Sequence, residues 1–155
     1  MIKKRKIIVI IVICLYCFIN CSKNTEDMIY NYINSSCSFE NDDICVIDLR
    51  EALDIDFDTF YLFGEGSRQD FISKTINISY NNSNFIPDSK YRLVLIKADS
   101  IVFDNDFYQN KIRFYIKNKY NETSQLYYKL HNPFFCVSKK NDSKDFYLLM
   151  PINEN

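Results

Sequence analysis

Leu93-Val94-Leu95-Ile96 is followed, after Lys97, by Ala98-Asp99-Ser100 and then by Ile101-Val102-Phe103. Two apolar runs rich in β-branched residues, parted by a short polar turn, read as a β-hairpin with a buried first strand. Downstream the period stays near two. Ile112, Phe114 and Ile116 alternate with Arg113, Tyr115 and Lys117; Leu126, Tyr128 and Leu130 repeat the pattern. Phe134 to Val137 and Asp145 to Met150 flank Lys140-Asn141-Asp142-Ser143 as a terminal hairpin. Upstream, Ile44 to Ile47 is a short strand. Thr59 to Phe63 is a buried one, closed by Gly64-Glu65-Gly66, which hold the chain's only 2 glycines.

Helical spacing occurs in two places. Met28, Ile29, Tyr32 and Ile33 predict an amphipathic helix over 26–35, capped by Asn24 or Thr25, with Glu26 and Asp27 in its first turn. Ser67 followed by Asp70 resembles a capping box, and Phe71, Ile72, Thr75 and Ile76 continue one face, predicting a helix over 68–76. Asp48 to Leu53 reads as one helical turn, and Asn81 to Asp88 as a loop. Residues 25–155 therefore form one α+β domain. Its expected frame is an antiparallel sheet of five to seven strands with two or three short helices on one face.

The first twenty residues have another character. Lys3-Lys4-Arg5-Lys6 precedes Ile7 to Ile19, a run free of charge, and Asn20-Cys21-Ser22 begins a polar chain. A cationic start, an apolar core and a short cleavage region make an export signal. A retained membrane span is the rival. The apolar run covers about 20 Å as a helix, short of the roughly 30 Å hydrocarbon core, so cleavage is favoured. Phe18-Ile19-Asn20-Cys21 resembles the lipobox of bacterial lipoproteins, with Phe18 and Asn20 where Leu and a small residue are preferred. The reading is a signal peptide over 1–20, a lipidated Cys21, and a tether over 21–24. Such a chain sits on the exported side of the cell membrane or outer membrane, held by its acyl groups.

The signal holds four of the nineteen Lys and Arg residues and none of the twenty Asp and Glu. Residues 21–155 thus carry fifteen cations against twenty anions, a net charge of −5. A mildly acidic domain argues against nucleic acid, and against an anionic lipid surface, as a partner beyond the acyl anchor. Of the 6 cysteines, Cys14 and Cys17 leave with the signal and Cys21 is acylated. Cys37, Cys45 and Cys136 remain. Cys37 and Cys45 are the nearer pair, and either close a small loop by a disulfide outside the cytoplasm or stay buried and unbridged. With a single His and no CxxC spacing among these three remaining cysteines, no metal site or cofactor is expected.

Some motifs tempt. Asp54, Asp56, Asp58 and Glu65 stand at positions one, three, five and twelve of a calcium loop. Thr59 occupies the position that needs Gly, and Phe60 to Phe63 would be wasted in a solvated loop. A strand of exposed Asp alternating with buried Ile and Phe explains the same letters. The Asp-x-Asp pattern of phosphatases lacks its parallel-strand context here. His131 and Cys136 bring a thiol and an imidazole close in sequence, yet Phe134-Phe135-Cys136-Val137 reads as a buried strand. Tyr115, Tyr120, Tyr127 and Tyr128 could line a sugar- or peptide-binding face, or simply populate a sheet.

Ile47-Asp48-Leu49 and the segment Phe57 to Phe63 resemble small uncharacterised bacterial lipoproteins. In these, an aromatic-Asp pair leads into an apolar-Tyr-apolar-Phe strand, then a turn, a short helix and an apolar hairpin. Ser67 to Ile76 and Leu93 to Phe103 stand where that helix and hairpin fall, so the likeness spans about residues 46–104. Phe57 replaces the usual Trp, and Glu65-Gly66 replaces a turn with Pro and Tyr. The resemblance implies a fold and no active site. Together these readings point to a membrane-tethered binding module of the cell envelope with no catalytic residues. The alternatives are an immunity protein against a secreted toxin, or a small hydrolase using Asp54, Asp56, Asp58, Glu65 or His131.

Overall fold

A computed structural model of the chain describes residues 24–39, 44–81, 85–115, 127–141 and 145–152. The signal sequence and Cys21 lie outside these residues, as do Ile116, Lys117, Tyr120 and Leu126. In chain order the elements are α1 (Thr25–Ser36), β1 (Cys45–Asp48), α2 (Leu49–Leu53), β2 (Thr59–Phe63) and α3 (Gln69–Ile76). They continue with β3 (Lys90–Lys97), β4 (Ser100–Tyr108), β5 (Ile112–Phe114), β6 (Tyr127–Leu130), β7 (Phe134–Asn141) and β8 (Asp145–Pro151).

The fold is α+β, but the strands divide into two sheets rather than one. Sheet 1 has the order β1-β7-β8-β5 and sheet 2 the order β4-β3-β2-β6. Eight strands exceed the five to seven expected, and β5 runs parallel to β8. The reason is connectivity. Chain order supplies the two hairpins, β3–β4 and β7–β8, but β1 finds its partner in β7, pairing Val46 with Cys136. Such distant pairing leaves no trace in local periodicity.

The β3–β4 hairpin turns through Ala98 and Asp99, at φ 45° and 61°. Two successive left-handed residues match the right-handed twist of paired strands. Asp58 holds the turn by accepting the Ala98 N–H at 2.9 Å. The register slips between Leu95 and Ile96, where a bulge skips Val102. At Gly66, φ is 76°, a conformation for which Gly has no steric cost.

The inner faces of both sheets feed one apolar cluster. Phe60, Leu62, Leu93 and Leu95 from sheet 2 meet Ile47, Phe135, Val137 and Leu149 from sheet 1. Helices α1 and α2 add Ile29, Ile33, Leu49 and Leu53 to the same cluster. A second cluster lies on the far side of sheet 2, where α3 lays Ile72 and Ile76 over Phe63, Val94 and Ile96. The helices therefore do not share one face. The long apolar run of β3 follows from this, since sheet 2 is covered on both sides.

Local signals explain the helix ends. Asn24 caps α1, its Oδ1 accepting the Glu26 N–H at 3.1 Å. Asp48 caps α2 in the same way, accepting the Arg50 N–H at 2.8 Å. The expected Ser67 capping box does not form: Arg68 is the N-cap of α3 and gives no side-chain cap. Ser67 is instead tied by its backbone to Ile86, accepting that N–H at 3.0 Å. Asp54 and Asn77 close α2 and α3 in the left-handed region, where Asp and Asn are tolerated.

Candidate functional site

The calcium pattern comes apart in space. Asp54 is the left-handed end of α2. Asp56 pairs with Lys97, Asp58 takes the Ala98 amide, and Glu65 accepts the Ser89 N–H at 2.7 Å. Residues 54–58 alternate exposed and covered positions as expected, but form no strand. Phe60 to Phe63 are buried in β2. The Lys97 hydrogen bond holds the Asp56 carboxyl below its ordinary value and raises Lys97 in turn. Both groups are solvated, so the pair contributes little to stability. Among the described residues no three His, Cys, Asp or Glu side chains converge in a way that could hold a metal ion.

His131 and Cys136 are likewise apart in role. The His131 Nδ1 lies 3.0 Å from the Thr59 hydroxyl at the start of β2. Cys136 sits in sheet 1 between Val46 and Met150 and is half-buried rather than buried. Among the described residues the tyrosines do not share one face either. Tyr127 stacks on Phe63 under α3, whereas Tyr128 enters the shared core. Adjacent strand residues point to opposite faces. Tyr115 is exposed on sheet 1, and Tyr120 is outside the described residues.

Two buried charged groups take roles that local sequence does not specify. Glu26, 4% exposed, directs one carboxylate oxygen at three successive backbone amides, Asn110, Lys111 and Ile112. Successive N–H groups make an anion nest, and here the chain's own glutamate fills it. Lys111 also reaches back to Asp27 at 2.6 Å. The first turn of α1 is thereby fixed to the β5 edge of sheet 1. Sequence offered only that an acid belongs near a helix N-terminus.

The second group is Arg92, 2% exposed on the α3 side of sheet 2. Its Nε and Nη2 donate to Asp106 at 2.5 and 2.8 Å, and Nη1 donates to the Tyr80 hydroxyl at 3.0 Å. Tyr80 donates in turn to Asp104 at 2.8 Å. Burial, then the Asp104 bond, pushes the Tyr80 phenol well above its ordinary value. Burial opposes the Arg92 charge, but the Asp106 hydrogen bond and the surrounding charges outweigh it and keep Arg92 cationic. This network clamps the loop after α3 onto the sheet and offers no open reacting group.

Cys37 and Cys45 are joined, with Cα atoms 5.7 Å apart, tying the end of α1 to β1. A cleft of about 70 Å³ lies between α1 and the β7–β8 hairpin, lined by Tyr30, Asn34, Lys139, Phe146 and Tyr147. It has room for a few waters, well under the roughly 300–1,000 Å³ of a small-molecule site. Tyr147 closes it by donating to Asn34 at 2.6 Å. Among the described residues no helix is long and apolar enough to cross a membrane. Comparison with protein-family models, with curated proteins and with solved structures finds no match for this chain.

Proposed function

We propose that the protein is an exported lipoprotein, anchored through an acylated Cys21, whose domain serves the cell envelope as a binding module rather than as a catalyst. The observation that carries this reading is the N-terminal sequence, a basic start and an uncharged apolar run followed directly by Asn20-Cys21. The Cys37–Cys45 bridge supports it, because stable disulfides belong to oxidising compartments. The separate engagement of Asp54, Asp56, Asp58, Glu65 and His131 gives a hydrolase reading no geometry to build on.

Inhibition of a secreted toxin is the form of binding that one surface favours. Asp54, Asp56 and Asp58 stand exposed before β2, and Asp99 stands exposed at the β3–β4 turn beside them. That end would complement a basic protein.

Intact-mass analysis of the protein purified from bacterial membranes tests the anchor. The expected mass is residues 21–155 plus acyl chains. A chain that keeps residue 1, or begins at Cys21 with no added mass, refutes it.

A further inference from the structure

Among the described residues nothing covers the outer face of sheet 1. Along β1, β7, β8 and β5 every second residue points away from the shared core. Among the described residues no helix lies over them as α3 lies over sheet 2. This face is apolar where solvent should meet polar groups: Val46 is 54% exposed, Tyr115 64% and Phe134 40%. Exposed apolar side chains sharing one face of a sheet mark a contact surface.

Charge on this face is sorted against the rest of the domain. Residues 21–155 carry a net −5. Yet Arg113, opposite Leu148 in the β5–β8 register, and Lys140, opposite Phe146 in the β7–β8 register, both project here. Arg113 lies 4.0 Å over the Phe146 ring. The one described carboxylate on this side is Asp48, which Arg50 neutralises at 2.7 Å. Aromatic and aliphatic groups bordered by cations, with no free anion, is the composition that suits a bilayer interface with anionic headgroups. The net charge of the sequence conceals it.

The chain ahead of α1 brings that surface within reach. Glu26 fixes the start of α1 to Asn110–Ile112, at the β5 edge and one residue from Arg113. An acylated Cys21 leaves only residues 21–24 between lipid and helix, at most about 13 Å when extended. We propose that the outer face of sheet 1 lies against an anionic phospholipid bilayer, with α3 and sheet 2 turned away. The proposal rests on the lipoprotein reading.

The chain contains no Trp, so one introduced Trp reports one place. Phe134→Trp reports the docked face. Phe85→Trp, at an exposed position beside α3, reports the opposite side. Each full-length acylated protein is reconstituted into phosphatidylcholine vesicles containing phosphatidylglycerol, some of the lipids brominated on their acyl chains. Quenching of the Phe134→Trp probe but not of the Phe85→Trp probe is expected. Arg113→Gln and Lys140→Gln should each weaken the docked population about five-fold, as removal of one interfacial cation does.

Protein that floats with the vesicles while its Phe134→Trp probe stays unquenched overturns the docking and leaves the anchor standing. A blue-shifted probe without bromine quenching means that a second copy covers the face, which also overturns it. Protein that lacks acyl mass and fails to float overturns the anchor and this orientation together.

Discussion

Replacing Arg92 by Met should destabilise the domain by about 3 kcal/mol. The substitution keeps the aliphatic stem and removes a guanidinium whose hydrogen bonds include two to Asp106 and one to Tyr80. Breaking a fully buried ion pair costs about 3–5 kcal/mol, mainly by stranding the partner charge. Asp104 and Asp106 are 13% and 21% exposed, so water relieves part of that penalty and the lower end applies. In a domain of this size the loss lowers the melting temperature by roughly 10 °C. The stranded charge gives the sharper test. Asp106→Asn added to Arg92→Met should recover about 1 kcal/mol or more, so that the double variant is more stable than the sum of the single changes predicts. Urea unfolding followed by far-ultraviolet circular dichroism measures all three. An Arg92→Met variant within about 0.5 kcal/mol of the parent, or strictly additive changes, would refute the view that Arg92 offsets buried charge.

Three other outcomes follow from the same structure. Glu26→Gln keeps the shape of the nest ligand but removes its charge, and should cost about 1.5–2 kcal/mol in urea unfolding; no loss would mean the amides find water instead. The Cys37→Ser, Cys45→Ser double variant should lose about 2–2.5 kcal/mol, the closure entropy of a nine-residue loop, and reductant should mimic it in the parent only. Because the folded Tyr80 phenol is held above its ordinary value, stability is full below pH of about 10, where the unfolded phenol begins to ionise, and falls as pH rises further. Tyr80→Phe should flatten that decline in a pH series of melting curves.

The sequence made individual elements legible where a local cause existed. Thr59 to Phe63 matches β2 residue for residue, and Asn24 caps α1 because its side chain can reach an amide two residues on. The division into two sheets was not legible, since nothing near Val46 names Cys136 as its partner. Arg92 was passed over for the same kind of reason. It sits inside an ordinary strand pattern, and only the fold brings Tyr80, Asp104 and Asp106 around it. For the tyrosines the simpler of the two readings was legible in the sequence, because Tyr127 and Tyr128 are neighbours on one strand and so must part. The outer face of sheet 1 could not be read from local pattern, because Arg113 and Lys140 are far apart in sequence and only the strand register brings them to one face.

The fastening of Glu26 to Asn110–Ile112 has a bearing on the order in which the fold assembles as the chain is delivered. In sheet 2, β2, β3 and β4 come from one continuous piece of chain, residues 59–108, and can pair as that piece emerges. Helix α1 must wait more than eighty residues for its nest, and β1 must wait about ninety for β7. Sheet 1 therefore assembles only when nearly the whole polypeptide has been delivered. A chain processed at Cys21 would have its beginning already moored while its end was still in transit, and the last strands would close the domain onto that fixed point.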